Sequence, residues 1–309
     1  MTDMFESQNK TAVLLMAYGT PSSGEEILSY YTDIRRGHAP TSEQLANLVS
    51  RYEAIGGVSP LGVRTEAQRD AIARALDRIA PGEFKVQLGF KHSSPMIEQT
   101  VADLARQGFR RIITLVLAPH FSLYSIGQYV SRAREAATSL GLSVSGIDSW
   151  AIEPSFINFL ANDLRTKISA HTKVLFTAHS LPQRIIDAGD PYPNELRSTA
   201  VAVASQLGLI EGSQWSIAWQ SAGRTPEPWI GPNILTVIDE LADVDGCDGI
   251  VVSACGFVAD HLEVLYDLDI EARNHAEQLG LTFARTKCVN DDPVVMTALA
   301  HRVIAARAA

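Results

Sequence analysis

Glu263, Asp267 and Glu271 follow one another at intervals of four in "GFVADHLEVLYDLDIEARNH" (256–275). On a helix that spacing stacks like charges along one side, and such pairs repel. Carboxylates in series suit a path for protons or for a hard or borderline divalent cation. A solvated acidic helix face has the same spacing. Two details favour the chemical reading: the row starts just after an apolar run, and Val258, Leu262 and Leu265 surround it. Asp260 and His261 stand next to Glu263. On a regular α-helix an i,i+4 row drifts sideways, so a local π-type widening is expected to keep it straight.

His179 in "TAHSLP" (177–182) ends another apolar run, before a Pro-containing turn. There an imidazole serves either as a base or ligand in a cleft or as a satisfied structural group. Ser180 beside it lacks a GxSxG surround, which weakens a nucleophile reading. A third region, "SYYTDIRRGHAPTSEQLANLVSRYEAIGGVSPL" (29–61), sets paired aromatics beside Arg35, Arg36 and Arg51, then a Gly-Gly turn and Ser59. Aromatic faces with bidentate Arg suit a flat ligand with acidic arms. A surface helix with its own ion pairs fits the same residues.

These groups need a frame. "AVLLMAYG" (12–19), "FKVQLGF" (84–90), "RIITLVLAP" (111–119), "KVLFTAHS" (173–180), "WSIAWQS" (215–221) and "GIVVSACGF" (249–257) are continuous apolar runs. Such runs predict parallel strands covered on both faces. Helical patterns at 65–80, 95–108 and 197–208 alternate with them, which predicts an α/β fold. The halves also resemble each other: "VLLMAYGTP" (13–21) parallels "VLFTAHSLP" (174–182), and "VQLGFKHSSP" (86–95) parallels "SIAWQSAGRTP" (216–226). The expectation is two Rossmann-like domains with parallel sheets, a duplicated fold with the active-site cleft between them. The first covers 1–150 and the second 151–291, and a last helix at 292–309 is expected to pack back on the first. No GxGxxG follows a strand, which argues against a dinucleotide site. Ligands of such sheets sit beyond the carboxyl ends of the strands. Tyr18, His92, His120, His179 and Gln220 all lie at or just after such ends.

Composition narrows the partners. The formal net charge of the 309 residues is −9 and no basic stripe is present, so a nucleic-acid partner is not expected. "MTDMFESQNK" lacks the pattern of a signal peptide, and "IITLVLAP" (112–119) is too short to span a bilayer, so a cytoplasmic protein is expected. Three widely spaced cysteines suggest neither a disulfide framework nor a metal site built from Cys alone.

Taken together, "MAYGTP" (16–21), "YYTDIRRG" (30–37), "RYEAIGGVSPL" (51–61), "LAPHFS" (117–122), "TAHSLP" (177–182), "GDPYP" (189–193), "WQSAGRTPEPWIGP" (219–232) and "GFVADHLEVLYD" (256–267) resemble the ferrochelatase family. The likeness is greatest to the coproporphyrin III ferrochelatases of Gram-positive-type bacteria. The resemblance implies a lyase that inserts Fe²⁺ into a porphyrin in haem biosynthesis, with Fe²⁺ as substrate and no resident cofactor. It implies His179 and Glu263 as the catalytic and inner metal-binding pair. Tyr18 would be the axial metal contact from the opposite porphyrin face. Tyr18, Arg35, Arg51, Tyr52, Ser59 and Tyr129 would contact substrate, and Asp267 and Glu271 would form an outer metal and proton strip. Protoporphyrin-using relatives commonly carry Met at the place of Tyr18, so Tyr points to the four-propionate substrate. A cluster needing four cysteines does not fit a chain with three. Porphyrin and Fe²⁺ are the expected partners, with a transient contact to haem-pathway enzymes left open. The rival readings are a protoporphyrin IX ferrochelatase, a Co or Ni tetrapyrrole chelatase, and a non-catalytic porphyrin or haem carrier.

Overall fold

A computed structural model describes residues 10–223 and 225–308. The polar N-terminal stretch discussed above falls almost wholly, and Arg224 entirely, outside the described residues. Among these residues the strands are β1 (Thr11–Ala17), β2 (Phe84–Phe90), β3 (Arg111–Val116), β4 (Ser143–Ile147), β5 (Thr172–His179), β6 (Trp215–Gln220), β7 (Gly249–Ser253) and β8 (Thr282–Arg285). They form two four-stranded sheets of order β2-β1-β3-β4 and β6-β5-β7-β8, parallel throughout. The expected α/β class with parallel sheets is therefore present, and the duplication extends to an identical strand order. The described residues divide into two compact units, 10–118 with 123–149 and 290–308, and 119–122 with 150–289.

Each central strand owes its place to the continuous apolar run that composes it. Every residue of β1 is buried, as is every residue of β7. Burying each such aliphatic side chain contributes about 1.5–3 kcal/mol. β4 and β8 went unrecognised in the sequence because they are short edge strands with little burial, unlike the longer edge strands β2 and β6. "SVSGI" keeps only its last residue buried and "TFAR" only its second, so neither shows an apolar run. In the first unit the helices that matter for the site are α1 (Ile27–Ile34), α2 (Ser42–Ala54), α3 (Leu61–Ile79), α4 (Ile97–Arg106) and α5 (Ile126–Ser139). Thr41 starts α2 with a reciprocal cap: its hydroxyl accepts from Gln44 N at 3.2 Å, and Gln44 Oε1 accepts from Thr41 N at 3.0 Å. The terminal helix Pro293–Ala308 belongs to this first unit, where Gln68 on α3 donates to Asn290 O at 3.0 Å.

In the second unit one glycine sets the course of the loop that leaves β7. A Cβ on Gly256 would stand 2.4 Å from the Cβ of Ala178, closer than packing allows. Gly256 N also donates to Thr177 O at 2.9 Å. The loop is thereby pressed against the end of β5, next to His179.

Candidate active site

His179 is the last residue of β5 and its side chain is 32% exposed. Its Nδ1 contacts the carbonyl oxygen of Ser180, which can only accept, so Nδ1 carries a proton. Nε2 faces Glu263 Oε1 at 3.5 Å. The other oxygen, Oε2, lies 3.5 Å from Nε2 of His261. His261 repeats the arrangement, with its Nδ1 donating to Ala259 O at 2.9 Å. One carboxylate thus stands between two imidazoles, each locked by a main-chain carbonyl. The ring of Trp229 lies 6.4 Å from that of His179.

Burial disfavours the charged imidazole, but the Glu263 carboxylate and the Ser180 carbonyl outweigh it and hold His179 up at about 9. Burial likewise opposes the Glu263 carboxylate, yet His179 and His261 hold it well below the usual carboxylate range. The resting pair at neutral pH is therefore imidazolium and carboxylate. This departs from the neutral His179 that general-base chemistry leads one to expect, because the fold sets a half-buried carboxylate against the only free ring nitrogen.

The carboxylate row is held from two sides. Glu271 N donates to Tyr266 O at 2.9 Å, an i to i−5 bond, and Asp267–Ala272 forms a π-helical turn between α6 (Leu262–Leu265) and α7 (Arg273–Gln278). The widening expected from the spacing is present. Glu263 is half-buried, Asp267 buried and Glu271 exposed. From the end of β6, Gln220 Nε2 donates to Glu263 O at 3.1 Å and Ser221 Oγ donates to Asp267 Oδ2. Ser221 does this from a left-handed backbone (φ 58°), a conformation that costs a non-glycine residue energy. On the other side Arg285 of β8 binds Asp269 through both oxygens, at 2.7 and 2.8 Å, and reaches Asp260 Oδ1 at 3.2 Å. Asp260 and Asp269 bracket the segment that carries His261, Glu263 and Asp267. Among the described residues no three His, Cys, Asp or Glu side chains close into a cage for a metal ion.

A second group of the residues expected at the site lies in the first unit. Tyr18, 40% exposed, follows β1, and His92 N donates to Tyr18 O at 3.0 Å. Lys91 Nζ lies 5.9 Å from the Tyr18 ring centre and 5.2 Å from that of Tyr129 on α5. Tyr30 donates to Gly19 O at 3.1 Å. Arg35 donates to His38 O at 3.1 Å and lies 5.6 Å over the Tyr31 ring. Arg51 and the buried Tyr52 stand on the last turns of α2, and the buried Ser59 accepts from Leu61 N at the start of α3.

Two polar candidates have structural partners instead. Ser180 is buried and its hydroxyl donates to Ile230 O at 2.7 Å. His120 is buried; since Thr199 Oγ1 already donates to Ala151 O at 2.7 Å, it accepts from His120 Nε2 at 2.8 Å. Burial pushes His120 down to about 3. Sequence reasoning passed over Lys91, Ser221 and Arg285 as site residues. The first two each directly follow or precede a flagged strand-end residue, a signal that was there to use. Arg285 sits on an edge strand that carries no periodic signal.

A family model described as ferrochelatase matches residues 10–307. The chain is 40% identical over 307 residues to the coproporphyrin III ferrochelatase of Anoxybacillus flavithermus, covering 96% of each chain. It is 42% identical over 301 residues to that of Halalkalibacterium halodurans, covering 95% of this chain and 96% of the other. A protein named ferrochelatase from Herpetosiphon aurantiacus is 41% identical over 300 residues, covering 94% of this chain and 97% of that one. Among solved structures, SirB from Bacillus subtilis with Fe³⁺ superposes with a TM-score of 0.54 at 14% identity, over 96% of this chain and 94% of that one. CbiX, described as the terminal enzyme for biosynthesis of siroheme in denitrifying bacteria, gives 0.53 at 12% identity, over 96% and 99%. At these identities the structural likeness is one of fold.

Proposed function

The chain belongs to the ferrochelatase family, and from that premise we propose that it inserts Fe²⁺ into coproporphyrin III to give coproheme in haem biosynthesis. The observation that carries the chemistry is the His179–Glu263 pair, in which a main-chain carbonyl holds the Nδ1 proton and leaves Nε2 as the reactive nitrogen. The names of the relatives at 40% and 42% identity supply the substrate.

Metal insertion removes two pyrrole N–H protons and strips water from the cation. His179 rests protonated, so it must lose that proton before it accepts another. An approaching dication disfavours the imidazolium by charge repulsion. Glu263 and then Asp267 and Glu271 offer the released proton a line of acceptors toward the exposed end of the π turn. Freed, Nε2 takes the two pyrrole protons in turn as a general base, passing the first to the same line of acceptors before it takes the second. Tyr18 would contact the metal from the other face of the macrocycle. Arg35, Arg51, Tyr52, Ser59 and Tyr129 would hold the porphyrin and its acidic arms. Nitrogen and oxygen ligands hold Fe²⁺ less tightly than thiolates would, which suits a metal that is passed on. The reaction needs no resident cofactor. The cytoplasm is its proposed setting, which the free thiols of Cys247, Cys255 and Cys288 support, and no described helix is long and apolar enough to cross a membrane.

An anaerobic absorbance assay with Fe²⁺, run separately on coproporphyrin III and protoporphyrin IX, tests the reading. Turnover of the four-propionate porphyrin is the expected result. Preference for protoporphyrin IX would overturn the substrate, and binding without insertion would make the protein a carrier.

A further inference from the structure

Lys91 carries a charge that no carboxylate among the described residues answers. Its Nζ donates to Gln128 Oε1 at 2.7 Å, and the faces of Tyr18 and Tyr129 lie to its sides. Among the described residues it makes no ion pair. Both nearby carboxylates are already taken. Glu98 accepts from Arg132 through both oxygens, at 2.6 and 2.8 Å, and Asp33 accepts from His92 Nδ1 at 2.7 Å. The formal charges that act on the ammonium, Arg132 and Arg36, have its own sign. Arg132 also fixes the place of Lys91 by donating to its carbonyl at 2.8 Å. An ammonium has three donors, and a half-buried one without a counter-charge is costly to keep. Aromatic faces offset part of that cost but not all of it.

We infer that Lys91 is a carboxylate-binding subsite, which takes one propionate of the porphyrin while the Tyr18 and Tyr129 rings take its apolar edge. The inference rests on the porphyrin reading above and adds a residue to it. The acceptor must be an anion, because among the described residues Gln128 is the one acceptor that meets the ammonium and the charges acting on it are positive. It must adjoin an apolar body, because the rings beside the ammonium offer flat apolar surface. A propionate arm on a macrocycle meets both conditions.

The test uses Lys91→Gln, which can still donate to Gln128, and Lys91→Arg, which keeps the charge. Metal-free binding of coproporphyrin III, protoporphyrin IX and the tetramethyl ester of coproporphyrin III is followed by porphyrin fluorescence, and iron insertion is followed alongside. The expected result is a loss of affinity of about tenfold or more for coproporphyrin III in Lys91→Gln, as for a hydrogen bond between charged groups. Lys91→Arg should recover most of it, and the ester should bind both forms alike. KM for porphyrin should rise with kcat little changed, which a merely structural lysine would not produce. Wild-type insertion with an unaltered coproporphyrin III affinity in Lys91→Gln would overturn the subsite alone. A wild-type protein that bound no porphyrin would overturn the subsite together with the reading it rests on.

Discussion

Nε2 of His179 and Oε1 of Glu263 stand 3.5 Å apart, with the far nitrogen of the imidazole committed to the Ser180 carbonyl. Only one ring nitrogen is therefore available for chemistry, and it is already turned to a carboxylate. Replacing His179 by Ala should abolish iron insertion while leaving porphyrin binding close to that of the wild type. Normal turnover by His179→Ala in the anaerobic assay would remove the residue from the mechanism.

The same pair predicts a pH dependence of stability. His179 binds its proton more tightly in the folded protein, where it titrates at about 9, than in an unfolded chain, where the usual value is about 6.5. That contribution is complete below about 6.5 and is lost as pH rises through about 9. Glu263 has the opposite sense: its contribution is present above the ordinary carboxylate range and is lost only as pH falls through its depressed value. Thermal unfolding from pH 6 to 10 should show wild type losing more Tm than Glu263→Gln. Parallel curves would mean that the pair does not form in solution.

Asp267 is buried beneath the Ser221 hydroxyl, whereas Glu271 is exposed on the same π turn. Neutralising both, as Asp267→Asn with Glu271→Gln, should raise KM for Fe²⁺ several-fold and change porphyrin affinity little. An unaltered iron dependence in steady-state kinetics would return the row to the rank of a solvated helix face.

Arg285 joins Asp269 within the π turn to Asp260 ahead of His261. Arg285→Met would remove the guanidinium that joins Asp260 to Asp269, although Arg273 Nη2 stays 3.9 Å from Asp269 Oδ1, a loss of about 2 kcal/mol, below the range for fully buried pairs. We expect the Glu271 amide to lose protection in hydrogen exchange as its bond to Tyr266 O weakens. Arg285→Lys should restore only part, since an ammonium cannot reproduce the two parallel hydrogen bonds. Unaltered protection in Arg285→Met would mean that the π turn stands without the clamp.

The duplication explains how much could be read from the chain. β1 and β5 are central strands of the two sheets, and Tyr18 and His179 occupy matching places at their ends. Buried parallel strands must be apolar along their whole length, so their sequences announce them, and the polar residue that ends each run announces the site. The row of carboxylates was legible for a similar reason, because a spacing of four sets side chains along one side of a helix. β4 and β8 are short and mostly unburied and carry no such pattern, so they and the arginine on β8 stayed hidden.

The sequence by itself thus determined the fold class, the places of the central strands along the chain, the family, and the residue types brought to the strand ends. Tertiary structure alone decided their chemical states. No spacing tells that Glu263 faces two imidazoles, that Ser221 covers Asp267, or that Lys91 is left without a counter-charge. A charge state follows from distances between segments far apart in the chain and from how much water each group retains. Both are set only when the sheets have formed and their loops have packed.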